Sequence, residues 1–251
     1  MNEKILMHLN IPIDTKIKYA ILPGDPGRVE KIAGYLDSSY LIAQNREFRS
    51  FAGKIDNEDV IVTSTGIGGP SAAIALEELA LIGVKKALRI GTCGGISEKV
   101  SGGDIVIPTA AIRMEGTSKE YAPAEYPACA DFDMVCALVK AAENNKMKYH
   151  TGIIQSKDSF YGQHNPESMP VSYELLNKWE AWKKLDVLAS EMETAALFTV
   201  AAVRKIKMGC VLHVMWNQGK AVPHTDGSDR TDRAIRTAID ALRIIINGDR
   251  G

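Results

Sequence analysis

Four cysteines are all the chain carries, at positions 93, 129, 136 and 210, and no two of them form a Cys-x-x-Cys. That absence excludes the common zinc and dithiol motifs. The scatter offers no disulfide framework, so buried free thiols in a reducing cytosol are expected. His150, His164, His213 and His224 also lack metal-ligand spacing. No apolar run reaches the roughly 18–20 residues of a membrane span. The N-terminal "MNEKILMHLNIP" has neither a signal-peptide apolar core nor a small-residue cleavage site. Basic residues do not outnumber acidic ones, 30 against 31 for a net charge of −1, so a general nucleic-acid surface lacks its electrostatic basis. No long Pro/Gly/Ser-rich linker, internal repeat or low-complexity tract interrupts the 251 residues. With 45% hydrophobic residues the chain can bury one large core, and a single domain over 1–251 is expected.

What is present is an alternation of short apolar segments and helical patterns. "KYAILPGDP" reads as a buried strand entering a turn, followed by a helix from about Arg28 to Leu36. "EFRSFAGKI" and "EDVIVTSTGIGG" read as a hairpin with "DNED" at its turn. "SAAIALEELALIG", "DFDMVCALVKAAENN" and "SYELLNKWEAWKKL" have helical spacing, as does a C-terminal stretch from about Asp229 to Ile246. "VKKALRIGTCGG", "GDIVIPTAAIRME", "KYHTGIIQSKDSF", "LDVLA" and "MGCVLHVMWNQ" are β-prone. Apolar strands alternating with helices imply an α/β fold with a largely parallel central sheet covered on both faces. The hairpin makes that sheet mixed.

Three segments share one design, an apolar strand running into glycine with an arginine nearby: "GDPGR" (Gly24–Arg28), "TGIGG" (Thr65–Gly69) and "RIGTCGG" (Arg89–Gly95). Glycine permits sharp turns and close backbone approach, successive N–H groups gather anions, and arginine adds a charged fork. Together they suggest an oxyanion held from separated parts of the chain. None is a P-loop or a G-x-G-x-x-G, so nucleoside triphosphates and dinucleotides lose ground. "SEMETAALF" (Ser190–Phe198) poses a different question. Ser190 and Glu193 have capping-box spacing for a helix start, which leaves Glu191 unexplained. On a helix the two glutamates would point in different directions and not act as a pair, which weakens a two-carboxylate glycosidase reading.

"GDPGRVEKIA", "NREFRSFAG", "VTSTGIGGPSAAIALEELALIG", "LRIGTCGGI" and "SEMETAALF" together resemble the nucleoside phosphorylase superfamily of hexameric and trimeric type, over nearly the whole chain. "IRMEGTSKEYAPAEYPACADFD" and "KDSFYGQ" resemble its uridine-cleaving branch more than its bacterial purine branch. The resemblance implies a three-layer α/β/α domain around a mixed, partly barrel-like sheet. It also implies phosphorolysis, in which phosphate attacks C1′ of a nucleoside to give a free base and ribose 1-phosphate. Inorganic phosphate would be the co-substrate and no organic cofactor would be needed.

By the same resemblance Gly24, Arg28, Arg46, Arg89 and Thr92 hold phosphate. Glu193, Met192 and Thr92 meet the ribose, with Glu193 on its hydroxyls. His8 and Arg46 reach across a dimer interface into a neighbour's site, in a homo-oligomer expected to be a hexamer built as a trimer of dimers. Glu47 and Ser71 match positions where some relatives place a monovalent cation, such as K+, between subunits. Phe160 stacks on the base and Gln163 hydrogen-bonds it, with Asn165, Asn217, Gln218 and Gly94 nearby. Arg89, Thr92, Glu193 and Gln163 carry the catalysis, and Glu191 lines the pocket edge or stabilises the loop.

At the base end the pattern frays. "FYGQHN" is one residue shorter than the usual "FYPGQxR", and Asn165 or His164 stands where arginine is expected. Gln218 in "MWNQ" replaces a second arginine. Asn217 replaces the acid by which adenosine-cleaving relatives protonate the base. Trp216 offers a flat surface or a core residue. A purine nucleoside phosphorylase, a hydrolytic nucleosidase and a non-catalytic nucleoside-binding protein remain alternatives to a uridine enzyme.

Overall fold

A computed structural model describes residues 4–219 and 231–250. The elements run in the order β1 (Tyr19–Pro23), α1 (Pro26–Ala33), β2 (Asp37–Asn45), β3 (Phe48–Ile55), β4 (Glu58–Thr63), α2 (Gly69–Leu81), β5 (Lys86–Gly95) and β6 (Ile105–Met114). They continue with α3 (Thr117–Tyr121), β7 (Ala128–Cys129), α4 (Phe132–Asn144), β8 (Tyr149–Lys157), α5 (Phe160–His164), α6 (Ser172–Lys184), β9 (Ala189–Glu191), α7 (Thr194–Arg204), β10 (Lys207–Asn217) and α8 (Asp232–Gly248). Asp229 lies outside the described residues.

The ten strands among the described residues belong to one mixed sheet. β1, β4, β5 and β10 run parallel, so the loops after them open on one side. β10 pairs with both β5 and β6, β6 with β8, β8 with β9, and β9 with β5. Those five strands close into a ring, the barrel-like part expected, and the β3–β4 hairpin, with β2 antiparallel to β3 at the outside, supplies the antiparallel edge. Its two-residue turn, Asp56–Asn57, has positive φ at both positions, the geometry that matches the twist of a hairpin. β1 is buried at every residue, and one apolar cluster covers each face of the sheet. α2 and α7 pack on one face; α4 and α8 pack on the other.

Local chemistry explains the boundaries. α1 starts two residues before the expected Arg28, because Asp25 accepts the Gly27 N–H and Pro26 fits the first turn. Asp131 and Ser159 cap α4 and α5 in the same way. The strand expected in "LDVLA" is displaced toward Ser190, where Gly94 and Gln155 flank it.

The end of α8 is tied to the sheet by one carboxylate. Asp249 accepts from Tyr19 Oη at 2.8 Å and Lys86 Nζ at 2.5 Å, and pairs with Lys18 Nζ at 2.8 Å. Burial pushes its pKa up, but the hydrogen bonds from Lys18, Lys86 and Tyr19 outweigh that and hold it well below the carboxylate range. A depressed folded pKa stabilises the fold fully above the unfolded value and loses that stabilisation as pH falls through the folded one. Asp249→Asn should therefore cost about 2 kcal/mol at pH 7, as expected for charge-assisted hydrogen bonds. In denaturant titrations the gap to the native protein should hold constant above about pH 5 and narrow below about pH 4. A gap that is independent of pH would contradict this account.

Candidate active site

The loops after β1, β4, β5 and β10 surround a cleft of about 600 Å³. One end is built from glycine and arginine. Gly24, Gly66 and Gly91 line it with Arg28, Arg89 and Thr92. Two of these positions require glycine. Gly66 has φ +68°, and a Cβ there would stand 2.7 Å from Glu47 Cγ. A Cβ on Gly91 would stand 3.0 Å from Arg89 Nη2 and 2.8 Å from Leu212.

Arg89 is 3% exposed, so its charge must be answered inside the protein. Nη2 lies 3.2 Å from Glu191 Oε2 and bonds Glu193 Oε2. Nε and Nη1 are buried without a hydrogen-bond partner among the described residues. The guanidinium is thus anchored along one edge while its remaining donors await an acceptor. Burial opposes its charge, but Glu193 and Glu191 prevail and raise its pKa. Burial, reinforced by Glu191, pushes the Glu193 carboxyl above the usual range, against the pull of Arg89 and the Gly68 amide.

The glutamates do not sit on a helix. Glu191 ends β9 and Glu193 is the residue before α7, so both carboxylates converge on Arg89, and the expectation that they act apart is corrected. The capping box is corrected with it. Glu191, not Ser190, caps α7, accepting from the Glu193 and Thr194 N–H groups at 3.0 Å. It also accepts from Ser156 Oγ at 2.5 Å. Of the two expectations for Glu191 the loop-stabilising one describes these bonds, and the residue lines the cleft as well. Glu193 accepts the Gly68 N–H at 2.6 Å, which locks the loop before α2 to the start of α7.

The cleft also includes Glu47, Gly94, Phe160, His164, Met192, Trp216 and Gln218. Other expected site residues lie elsewhere. Arg46 is exposed at the β2–β3 turn. His8 is half-buried against Glu78, 2.7 Å from Nδ1 to Oε1. Ser71 lies behind Glu47, 2.8 Å from its Oε1 and 2.6 Å from the Thr65 carbonyl. Asn165 ends α5 outside the cleft. Asn217 is buried and its amide donates to the Ser97 and Val100 carbonyls at 2.7 and 2.8 Å, so it supports the loop after β5. Gln163 lines a neighbouring cavity of about 310 Å³ beneath α6. It reaches the cleft through Gln218, whose Oε1 accepts from Gln163 Nε2 at 2.8 Å.

Lys157 was not anticipated from the sequence. It ends β8, is 5% exposed, and lines both cavities. Its Nζ donates to Ser190 Oγ at 2.7 Å. Burial lowers its pKa to about 8, although Glu191 and Glu193 pull upward. The signal available was "KDSF" at a strand end, which reads equally as a solvated turn. No cluster of three or more His, Cys, Asp or Glu side chains suited to a metal occurs among the described residues.

A family model described as Phosphorylase superfamily matches residues 18–247. A uridine phosphorylase of Treponema pallidum (strain Nichols) is 45% identical, covering 96% of this chain and 95% of its own length. A uridine phosphorylase of Escherichia coli (strain K12) is 40% identical over 90% of this chain and 92% of its own. A guanosine phosphorylase of Halorubrum lacusprofundi is also 40% identical, over 96% of both chains. A cleft with glycine loops and a half-free buried arginine at one end, in a mixed sheet with a closed ring, agrees with this match: the chain belongs to the phosphorylase superfamily.

Proposed function

We propose that this protein is a pentosyltransferase that cleaves uridine with inorganic phosphate, giving uracil and ribose 1-phosphate. The observation that carries the reading is Arg89, anchored by two carboxylates and left with buried donors at the glycine-lined end of the cleft. Water needs no such anion clamp, so phosphorolysis is favoured over hydrolysis. Arg28, Thr92 and the Gly24 backbone complete the phosphate end, with Arg46 from the partner subunit. Glu193 faces the ribose hydroxyls, a carboxylate suiting a vicinal diol, and Met192 packs on the sugar. A phosphate oxygen bonds to C1′ as the C1′–N bond breaks, and the electron pair leaves with the base. Orientation of phosphate and charge stabilisation of an oxocarbenium-like ribose supply the rate. Phe160 stacks on the base, and Gln163, Gln218 and Gly94 border it.

The site is proposed to be shared between subunits of a homo-oligomer, a hexamer of three dimers, with His8 and Arg46 donated across the interface. Ile67 lines the cleft yet is 80% exposed, and Tyr40 and Leu41 on β2 are also exposed, so apolar surface is available for burial against a partner subunit. Glu47, Ser71 and the Thr65 carbonyl form an oxygen set suited to a monovalent cation there. Residues 1–251 are read as one domain working in the cytoplasm in nucleoside salvage. No helix among the described residues is long and apolar enough to cross a membrane.

Purified protein with uridine and phosphate should release uracil and ribose 1-phosphate, and omission of phosphate should abolish release. The relative named a guanosine phosphorylase makes inosine and guanosine the competing substrates. Their exclusive cleavage would keep the mechanism and replace the base. Phosphate-independent release would overturn the arginine reading.

Two substitutions separate the halves of the site. Arg28→Ala should raise the KM for phosphate at least about tenfold and leave that for uridine nearly unchanged, as expected when a binding contact to one substrate is lost. Glu193→Gln keeps the side-chain shape but removes the charge facing the developing cation. It should lower kcat about 100- to 1,000-fold, the range for loss of one electrostatic partner. Steady-state kinetics with each substrate varied in turn would check both.

A further inference from the structure

Charge and hydrogen bonding at the base end follow a single chain. Lys157 Nζ donates to Ser190 Oγ at 2.7 Å, Ser190 Oγ donates to Gln163 Oε1 at 2.8 Å, and Gln163 Nε2 donates to Gln218 Oε1 at 2.8 Å. An ammonium can only donate. Ser190 must therefore accept from it and turn its one proton to Gln163, which fixes the carbonyl of that amide toward Ser190 and the NH₂ toward Gln218. Gln218 then accepts at Oε1 and points its own NH₂ over β5. There a Cβ on Gly94 would stand 2.6 Å from Nε2, so glycine lets the amide sit where it does and a larger residue would displace it. The direction set at Lys157 thus ends in amide N–H donors at the base end of the cleft.

Donors suit the leaving group. As the C1′–N bond breaks, the electron pair enters the pyrimidine ring and negative charge spreads onto its carbonyl oxygens. With glutamine and asparagine where arginines were expected, Lys157 is, among the described residues, the cation that lines this end of the cleft. We propose that Lys157 is a positioning residue that, through Ser190 and Gln163, holds the Gln218 amide as a hydrogen-bond donor to a carbonyl of the departing base. The inference rests on the phosphorolysis reading above.

The surroundings of Lys157 agree with a charge that can be lost. Glu191 on β9 and Glu193 before α7 favour its proton, and Cys93 on β5, which faces it too, is a thiol that burial keeps neutral. Burial opposes it and brings its pKa to about 8. Arg89 shares the same two carboxylates. His164 on α5 is kept neutral, its pKa lowered by burial and then by Lys157 itself. Once Lys157 is an amine it can accept as well as donate. Ser190 can then turn either way and the amides lose their fixed direction.

The test compares Lys157→Met, Lys157→Arg, Ser190→Ala and the Lys157→Met/Ser190→Ala double variant with the native protein. Uridine phosphorolysis is followed from pH 6.5 to 9.5, and melting temperatures are measured alongside. Ratios of native to variant kcat/KM cancel the ionisation of uridine itself. Lys157→Met should be about 10- to 100-fold slower at pH 7, less than the loss of a direct oxyanion donor because it acts through Ser190 and the amides. The ratio should fall toward one as pH rises above about 8. Ser190→Ala should lose as much at pH 7 with the ammonium still in place, and the double variant should be no worse than either. Lys157→Arg, which keeps its charge, should retain activity within a few-fold and hold it above pH 8. If Lys157→Met does not fold, the Lys157→Arg profile decides alone: an alkaline loss parallel to the native one overturns the proposal. So does a Lys157→Met ratio that does not vary with pH, or a Ser190→Ala variant with native activity. Absence of phosphate-dependent uracil release from the native protein overturns the functional reading and this inference with it. Release that the variants share equally overturns the inference alone.

Discussion

A single buried guanidinium organises the active end of this molecule. Arg89 comes from β5, Glu191 from the end of β9, and Glu193 from the start of α7, so three elements meet on one charge. A buried charge is tolerated only when answered, and removal of one partner from such a cluster typically costs about 3–5 kcal/mol. The cluster also has direction. Both carboxylates reach Nη2, leaving Nε and Nη1 with no protein acceptor among the described residues. An anion in the cleft completes what the fold leaves open. The interaction that joins the elements therefore also prepares the end proposed to take phosphate.

The same carboxylates couple that end to the rest of the cleft. Glu193 holds the Gly68 amide, and so the glycine loop before α2. Glu191 caps α7 and takes the Ser156 hydroxyl from β8. Ser156 Oγ in turn accepts the Ala195 N–H, so β8, β9 and α7 are joined through one hydroxyl. Lys157 is the next residue on β8. Its position, and through it the amides at the base end, is set by the hydrogen bonds that place the glutamates on Arg89. The regions proposed to take phosphate, ribose and base are thus held by one connected polar network rather than by three separate pockets.

What could be read from the sequence follows from the range of the interactions involved. The strand-to-glycine segments are local: "GDPGR" and "RIGTCGG" carry their own turn chemistry, and both line the cleft. The hairpin carried its turn residues, and the parallel strands their continuous burial. β2 was missed because most of its residues are exposed, so it has neither the apolar run nor the alternation that marks a strand. β9 is only three residues long and makes sense only beside Gly94 and Gln155. Without it, "SEMET" reads as the first turn of a helix, and that assignment separated two glutamates that in fact meet. Lys157 and Ser190 are 33 residues apart, and no pattern in either segment announces the other.

The base end shows how a polar site can be rebuilt without its usual charges. Amides are ambiguous recognition groups, because rotation by half a turn exchanges donor for acceptor. An arginine needs no such instruction. A pair of glutamines does, and a donor-only group at the head of the chain supplies it. Because that group is a lysine in a desolvated position, the instruction depends on pH, whereas a guanidinium would have held its charge throughout. In the proposed site, amides where arginines were expected move the determinant of base recognition away from the surface the base would touch, to the end of β8, where it is tied to the carboxylates that anchor Arg89.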